Sequence, residues 1–320
     1  QLKDNIRERV SVVNPELLIT IMDKEIFTFF HGAFNYFRNA VISLNILNPD
    51  LVIINAEIET HFLVAQAAKK NKITTALLPH GIDCHGFKEV KHGKLKFIDK
   101  CFAFGNEDVL FNKIQGVNKR SIIKTSHPWF EKFLPATVNQ QNEYRNALVL
   151  QYEPAFNSVP EKLSSLKEYI IDVFFIMEQL GIKIKYFKVR GLHQLEHDDM
   201  DVINKSPTKI VQGYGNLVDY IDEVDLVIGP VSTALIESGL RGKPYYAYRS
   251  HRHFELTESL NHSICNFVNV ADNMKELQEN IKNKQPYKRG CSVYDLIDLE
   301  GIQNRKELYC KFESRIQLAL

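Results

Sequence analysis

The chain has 320 residues, 44% hydrophobic and 25% charged, which is enough for one large or two ordinary domains with their own cores. Forty basic against 39 acidic residues leave a net charge of +1, which excludes a global field that recruits nucleic acid or an anionic membrane and leaves only local basic patches open. Five cysteines (Cys84, Cys101, Cys265, Cys291 and Cys310), odd in number, far apart and without a CxxC pair, argue against a disulfide framework or a zinc site and fit a reducing cytoplasm.

No apolar run approaches the roughly 20 residues of a membrane span, and no basic-then-apolar leader opens the sequence. Gln1 stands where a methionine would begin a full chain, as expected of a piece of a longer protein.

Lys24 to Leu47 (KEIFTFFHGAFNYFRNAVISLNIL) carries apolar residues on more than one face and predicts a buried helix. Leu51 to Ile54 then reads as a strand, Thr60 to Asn71 as a helix and Thr74 to Leu78 as a second strand. Lys100 to Phe104, Glu107 to Gln115 and Ser121 to Lys124 continue as strand, helix and strand. Alternation of this kind implies a parallel sheet covered by helices on both faces.

The pattern lapses at Leu134 to Arg145 (LPATVNQQNEYR) and restarts at Ala147 to Gln151, which places a domain boundary there and divides the chain into lobes 1–135 and 146–320, with the last helices expected to pack back on the first lobe. The second lobe continues with a helix over Glu161 to Leu180, a strand at Lys183 to Val189, a short segment at Lys209 to Gln212, a helix over Leu217 to Ile221, and a strand at Tyr245 to Tyr248. The expected fold class is α/β: two Rossmann-like lobes with parallel sheets and a cleft between them, ligands lying beyond the carboxyl ends of the strands. Only about four strands are legible between residues 51 and 124, so the first lobe reads as incomplete, with Pro15 to Ile21 as a weak further candidate.

The richest unit is Asp225 to Pro244 (DLVIGPVSTALIESGLRGKP). Leu226 to Ile228 is strand-like, Gly229-Pro230 ends it, and Ser232 and Thr233 sit where a helix begins. Free backbone N–H groups and the positive end of a helix suit an anion. Glu237, four residues after Thr233, shares the first-turn face and can accept hydrogen bonds from vicinal hydroxyls. The plainer alternative is that Ser232 caps the helix and Glu237 is a solvated first-turn acid.

Other strand ends carry chemistry too. His80 and Gly81 follow the strand Thr74 to Leu78, and His80 can act as general base, bind a sugar or contact phosphate, or merely tie down its own loop. Glu57 and Glu59 follow the preceding strand as a base or nucleophile, or as acids that satisfy a helix dipole. In Gly105 to Asp108, capping by Asn106 is the favoured reading. His127 can reach the cleft, whereas Trp129 and Phe130 are expected to pack the domain edge. Lys188, Arg190 and His193, at and after the end of the strand Lys183 to Val189, offer cations beside the Ser232-Thr233 turn, or form a surface basic cluster. Asp198 and Asp199 (in HDDMD) read as solvated charges of a polar loop, so no metal is expected. GxGxxG, Walker A, HExxH and GxSxG motifs are absent.

On TALLPHGI (75–82), AFGNED (103–108), TSHPWF (125–130) and DLVIGPVSTALIESGLRGKP (225–244), the chain resembles GT-B glycosyltransferases of bacterial surface-polysaccharide assembly, especially the capsule and O-antigen transferases that use CMP-linked Kdo or sialic acid, and the CDP-glycerol glycerophosphotransferases. The last motif is fairly specific and the others are weak alone. The resemblance implies a nucleotide-sugar donor on the second lobe, with Gly229, Ser232 and Thr233 at phosphate and Glu237 at ribose. A base or nucleophile would come from His80, Glu57 or Glu59 on the first lobe, with Gly81 and His127 on the acceptor side. Where many relatives have a His-Pro pair, this chain has Val189 to His193 (VRGLH), so Arg190 or His193 would take its place.

The implied activity is metal-independent and cofactor-free transfer of a sugar to a glycan or lipid-linked glycan. The expected location is the cytoplasm, at the inner face of the membrane if a small basic and aromatic patch makes peripheral contact. A non-hydrolysing sugar-nucleotide 2-epimerase and a non-catalytic GT-B-like module of a larger enzyme are the alternatives.

Overall fold

The structure is a computed structural model that describes residues 32–54, 59–79, 97–114, 116–134, 143–151, 160–189, 197–212, 217–249, 263–299 and 302–320. The described residues fall into two compact units: those within Gln1–Leu78, Lys94–Lys100 and Ala319–Leu320, and those within Pro79–Gly93 and Cys101–Leu318.

In the first unit, helix α1 (32–47) precedes β1 (Leu51–Ile54), α2 (Glu59–Lys70) and β2 (Thr74–Leu77). β1 and β2 pair in parallel, Leu51 opposite Thr74. Ala67 and Ala68 have no side-chain bulk to hold neighbours away, so Leu44 and Ile73 close over them in a small core. Asp99 pins the start of β2. Burial alone would raise its pKa, but hydrogen bonds from Lys69 and Thr75 hold it below the usual carboxylate value.

The expectation of a core helix over Lys24 to Leu47 is corrected here. Within the described part only Leu44 is buried, and Ile46 and Leu47 are 77% and 73% exposed. One stripe (Phe37, Ala40, Val41, Leu44) packs, in the spacing of a single helix face. Periodicity reveals a second apolar face without revealing what covers it.

The second unit contains β3 (Lys100–Ala103, from Cys101 onward), α3 (Asn106–Ile114) and β4 (Ile122–Lys124), with β3 and β4 parallel. It also contains β5 (Asn146–Leu150), α4 (Pro160–Gln179), β6 (Lys183–Val189), α5 (His197–Asn204), β7 (Lys209–Gln212), α6 (Leu217–Asp222), β8 (Leu226–Gly229), α7 (Ala234–Leu240), β9 (Tyr245–Ala247), α8 (Met274–Lys282) and α9 (Arg305–Gln317). The five later strands form one parallel sheet in the order β7-β6-β5-β8-β9. β5, β8 and β9 are near-continuous apolar runs and almost wholly buried, as on a sheet covered on both faces, whereas β6 carries Lys183, Lys185 and Lys188 and the edge strand β7 is partly exposed. Val149, Phe187, Ile228 and Tyr246 from the strands meet Ile170, Val173, Leu277 and Ile281 from the helices in one core.

Two local expectations change. HDDMD is not a loop, since His197 to Asn204 is helical. Asn106 is the first residue of α3 rather than its cap, and its side chain donates to Asp295 at 2.9 Å and accepts from Lys124 at 3.0 Å. Asp108 instead reaches back and accepts from the Phe104 amide at 2.8 Å. Among the described residues no helix is long and apolar enough to cross a membrane.

Candidate functional site

Successive strands run outward from β5 through β6 to β7 on one side, then return to β8 and β9 on the other. The order therefore reverses between β5 and β8, the point at which sheets of this kind bind ligands beyond the carboxyl ends of their strands. β8 is buried throughout and ends at Gly229. A Cβ at that position would run into the Tyr245 hydroxyl and lie 3.1 Å from Leu150 Cβ, so only glycine lets the neighbouring strands close around the turn. The Tyr245 hydroxyl donates to the Pro230 carbonyl at 2.5 Å and lies 3.5 Å from Ser232 Oγ.

Helical hydrogen bonding starts at once, with Leu235 N–H donating to Ser232 O and Ile236 N–H to Thr233 O. Thr233 stands at the cap position in helical conformation, and its side chain makes no capping hydrogen bond. The cap position thus falls on Thr233 rather than Ser232, whose hydroxyl lies toward Tyr245.

Glu237, one turn into α7, is not a solvated acid. It is 7% exposed and accepts a hydrogen bond from the Trp129 indole N–H at 3.1 Å. Burial pushes its pKa up, while the indole N–H and the charges of Lys132 and Lys188 pull the other way. A carboxylate held dry beside two ammonium groups retains lone pairs for further donors.

Trp129 comes from a short 3-10 turn, Pro128–Phe133, which His127 caps by accepting the Trp129 backbone N–H at 3.0 Å. Phe130 and Phe133 are 1% and 0% exposed and anchor that turn, as expected for Phe130. Trp129 departs from the expected edge packing, being 55% exposed with the Lys132 ammonium 4.4 Å from its ring centroid. His127 lies edge-on to Phe104 at 5.0 Å and beside Phe130 and Phe312, and burial pushes its pKa down to about 4, so the ring is neutral near pH 7.

Gln151 directly follows β5 at the switch point, and its backbone N–H donates to Lys188 O at 2.9 Å. Both polar atoms of its side chain are buried with no hydrogen-bond partner among the described residues. An amide that is buried and unpaired at both ends is costly, and it stands at the end of the strand where a ligand is expected.

The structure thus brings Gly229, Ser232, Thr233 and Glu237 into one strand-turn-helix, with His127 in the turn that supplies Trp129. Glu57, His80, Gly81, Arg190 and His193 lie outside the described residues, as does the side chain of Glu59 at the first position of α2. Sequence reading placed Lys188 among the cations beside the Ser232-Thr233 turn, and the structure has its charge acting on Glu237; that reading missed Trp129, Lys132 and Gln151 as neighbours of that turn. Only Gln151, the one polar residue closing an apolar strand, left a local signal.

No protein-family model matches the chain, and no curated protein does. Solved structures do resemble it. A UDP-GlcNAc 2-epimerase from Neisseria meningitidis bound to UDP-GlcNAc is 11% identical with a TM-score of 0.56, over 88% of this chain and 81% of that one. The lipopolysaccharide outer core galactosyltransferase WaaB in its apo form is 12% identical with a TM-score of 0.56, over 91% and 81%. A glycosyltransferase from Rickettsia africae is 12% identical with a TM-score of 0.51, over 89% and 81%. At such identities the likeness shows the fold: two Rossmann-like regions of parallel sheet and helix, the GT-B architecture that the sequence resemblance implied.

Proposed function

We propose that the chain is a nucleotide-sugar enzyme, a metal-independent glycosyltransferase that moves a sugar from a nucleotide-activated donor, CMP-linked donors foremost, to a glycan or lipid-linked glycan. The observation that carries this reading is the dry carboxylate of Glu237 beside the Ser232-Thr233 turn at the reversal point of the sheet. In this reading Glu237 accepts the ribose hydroxyls, and the turn with Lys188 and Lys132 faces the phosphate. As the glycosidic bond breaks, negative charge grows on the departing phosphate, and cations and N–H groups already in place stabilise it without reorganising. Arg190 or His193 would add to that charge, and His80, Glu57 or Glu59 would take the proton of the acceptor hydroxyl. The neighbours, one bound to UDP-GlcNAc and one a galactosyltransferase, support a nucleotide-sugar ligand in general.

Calorimetric titration with CMP, CDP and UDP tests the site. The double variant Ser232→Ala, Glu237→Ala should bind the preferred nucleotide at least about tenfold more weakly, the effect of losing hydrogen bonds to a charged group. Wild-type affinity in that variant would sink the assignment. Formation of an epimer from UDP-GlcNAc without acceptor would replace transfer by epimerisation.

Gln151→Leu supplies a second expectation. Removing an unpaired buried amide should stabilise the fold by about 1–2 kcal/mol in urea denaturation while weakening nucleotide binding. A variant that is less stable and binds normally would remove Gln151 from the site.

A further inference from the structure

Trp129 is the single tryptophan of the chain, and its indole N–H meets the Glu237 carboxylate across 108 positions of sequence. The turn that carries it is held on several sides: His127 caps it, Phe130 and Phe133 are buried beneath it, and Glu131 pairs with Arg305 at 2.9 Å. Such an anchored turn holds the indole at a defined place although the ring is largely exposed. The N–H engages Oε1 of Glu237. A carboxylate has about four acceptor directions, so one donor on one oxygen fixes the plane of the group and leaves the remaining directions available.

We infer that Trp129 is a positioning residue for nucleotide recognition, orienting the Glu237 carboxylate so that its remaining lone pairs meet the vicinal hydroxyls of a ribose. The inference rests on the reading of Glu237 as the ribose acceptor. It assigns the site to ribonucleotides over their deoxy counterparts, because an oriented carboxylate accepts two adjacent hydroxyls where a freely rotating one gains little from the second. Among the described residues, the charged groups acting on Glu237 are Lys132, from the same turn as Trp129, and Lys188, from β6. Both favour its ionised form, and neither has the fixed direction of an indole N–H.

Trp129→Phe keeps an aromatic ring and removes the donor. With the best of CMP, CDP and UDP and its 2′-deoxy counterpart, calorimetry should show about tenfold weaker binding of the ribonucleotide, the effect of a lost hydrogen bond to a charged acceptor. The preference for ribose should shrink, and the low-pH loss of binding should move to higher pH. A residue with a packing role alone would change none of these ratios.

If Glu237→Gln has lost binding while Trp129→Phe keeps wild-type affinity, ribose preference and pH profile, the inference is wrong and the site reading stands. If Glu237→Gln binds as wild type, the site reading itself fails. The wild-type protein gives an independent measurement should a variant not fold: its fluorescence comes from Trp129 alone among tryptophans, so nucleotide binding should shift the emission. Calorimetric binding with unchanged emission would overturn the inference.

Discussion

Gly105→Ala is expected to destabilise the second unit by about 4 kcal/mol or more, beyond the usual cost of overpacking, and to abolish folding if the margin is small. Gly105 is buried at the end of β3, and a Cβ there would meet the Asp295 carbonyl oxygen at 2.5 Å and the Ile297 amide nitrogen at 2.6 Å, with the Leu296 carbonyl carbon as close. These are backbone atoms, so no rotamer change relieves the clash. The two segments are also tied together, Asp298 N–H donating to Phe104 O at 2.7 Å and Asn106 to Asp295 at 2.9 Å.

Gly32→Ala is the matched control, because nothing lies within 4 Å of the added carbon and the residue is helical, where alanine gains up to about 1 kcal/mol over glycine. Urea denaturation of the two variants should separate by several kcal/mol in opposite directions. Equal stability would mean that residues 295–297 do not press on β3.

The second large effect is a loss of stability in acid that runs through His127. Burial holds its folded pKa at about 4, against 6.5 for a free histidine. Above about pH 6.5 the ring is neutral in both folded and unfolded chains and contributes no pH dependence. Below that, the unfolded chain takes up a proton that the folded chain refuses, so stability falls as pH falls and levels off near the folded value. The loss is at most about 3 kcal/mol, the free-energy equivalent of that displacement.

Buried carboxyls act in the opposite sense in the same range. Burial raises the pKa of both Glu107, despite a hydrogen bond from Ser263 at 2.5 Å, and Glu237. The His127 contribution therefore has to be read as a difference. Asparagine at position 127 preserves a cap for the Trp129 amide and cannot titrate. The stability difference between wild type and His127→Asn should favour wild type near pH 7 and shrink steadily toward pH 4. A difference independent of pH would show that His127 is not held neutral.

Much of the fold was legible because strand and helix are local patterns. Leu226 to Gly229, then proline, then small residues, reads as strand, turn and helix start in any tertiary setting, and the structure has β8 and α7 there. The same local logic failed wherever burial by a partner decides the outcome. Helix α1 has apolar side chains on two faces, and only one of them is packed. Asn106 has the chemistry of a cap, yet Asp295 and Lys124 claim its side chain, 189 and 18 positions away. Trp129 looked like edge packing because nothing in TSHPWF points to a carboxylate in α7.

The alternation of strand and helix, the Gly-Pro break and the placing of Ser232, Thr233 and Glu237 at one turn belong to the sequence itself, since backbone conformation and side-chain period act over a few residues. Which carboxylate is dry, which histidine is neutral and which glycine is obligatory were decided by the tertiary structure. The Trp129 indole reaches the Glu237 carboxylate, Phe104 and Phe312 pack beside His127, and the space denied at Gly105 is taken by residues 295–297. Each is a property of two segments brought together from far apart in the chain, and no single stretch carries it.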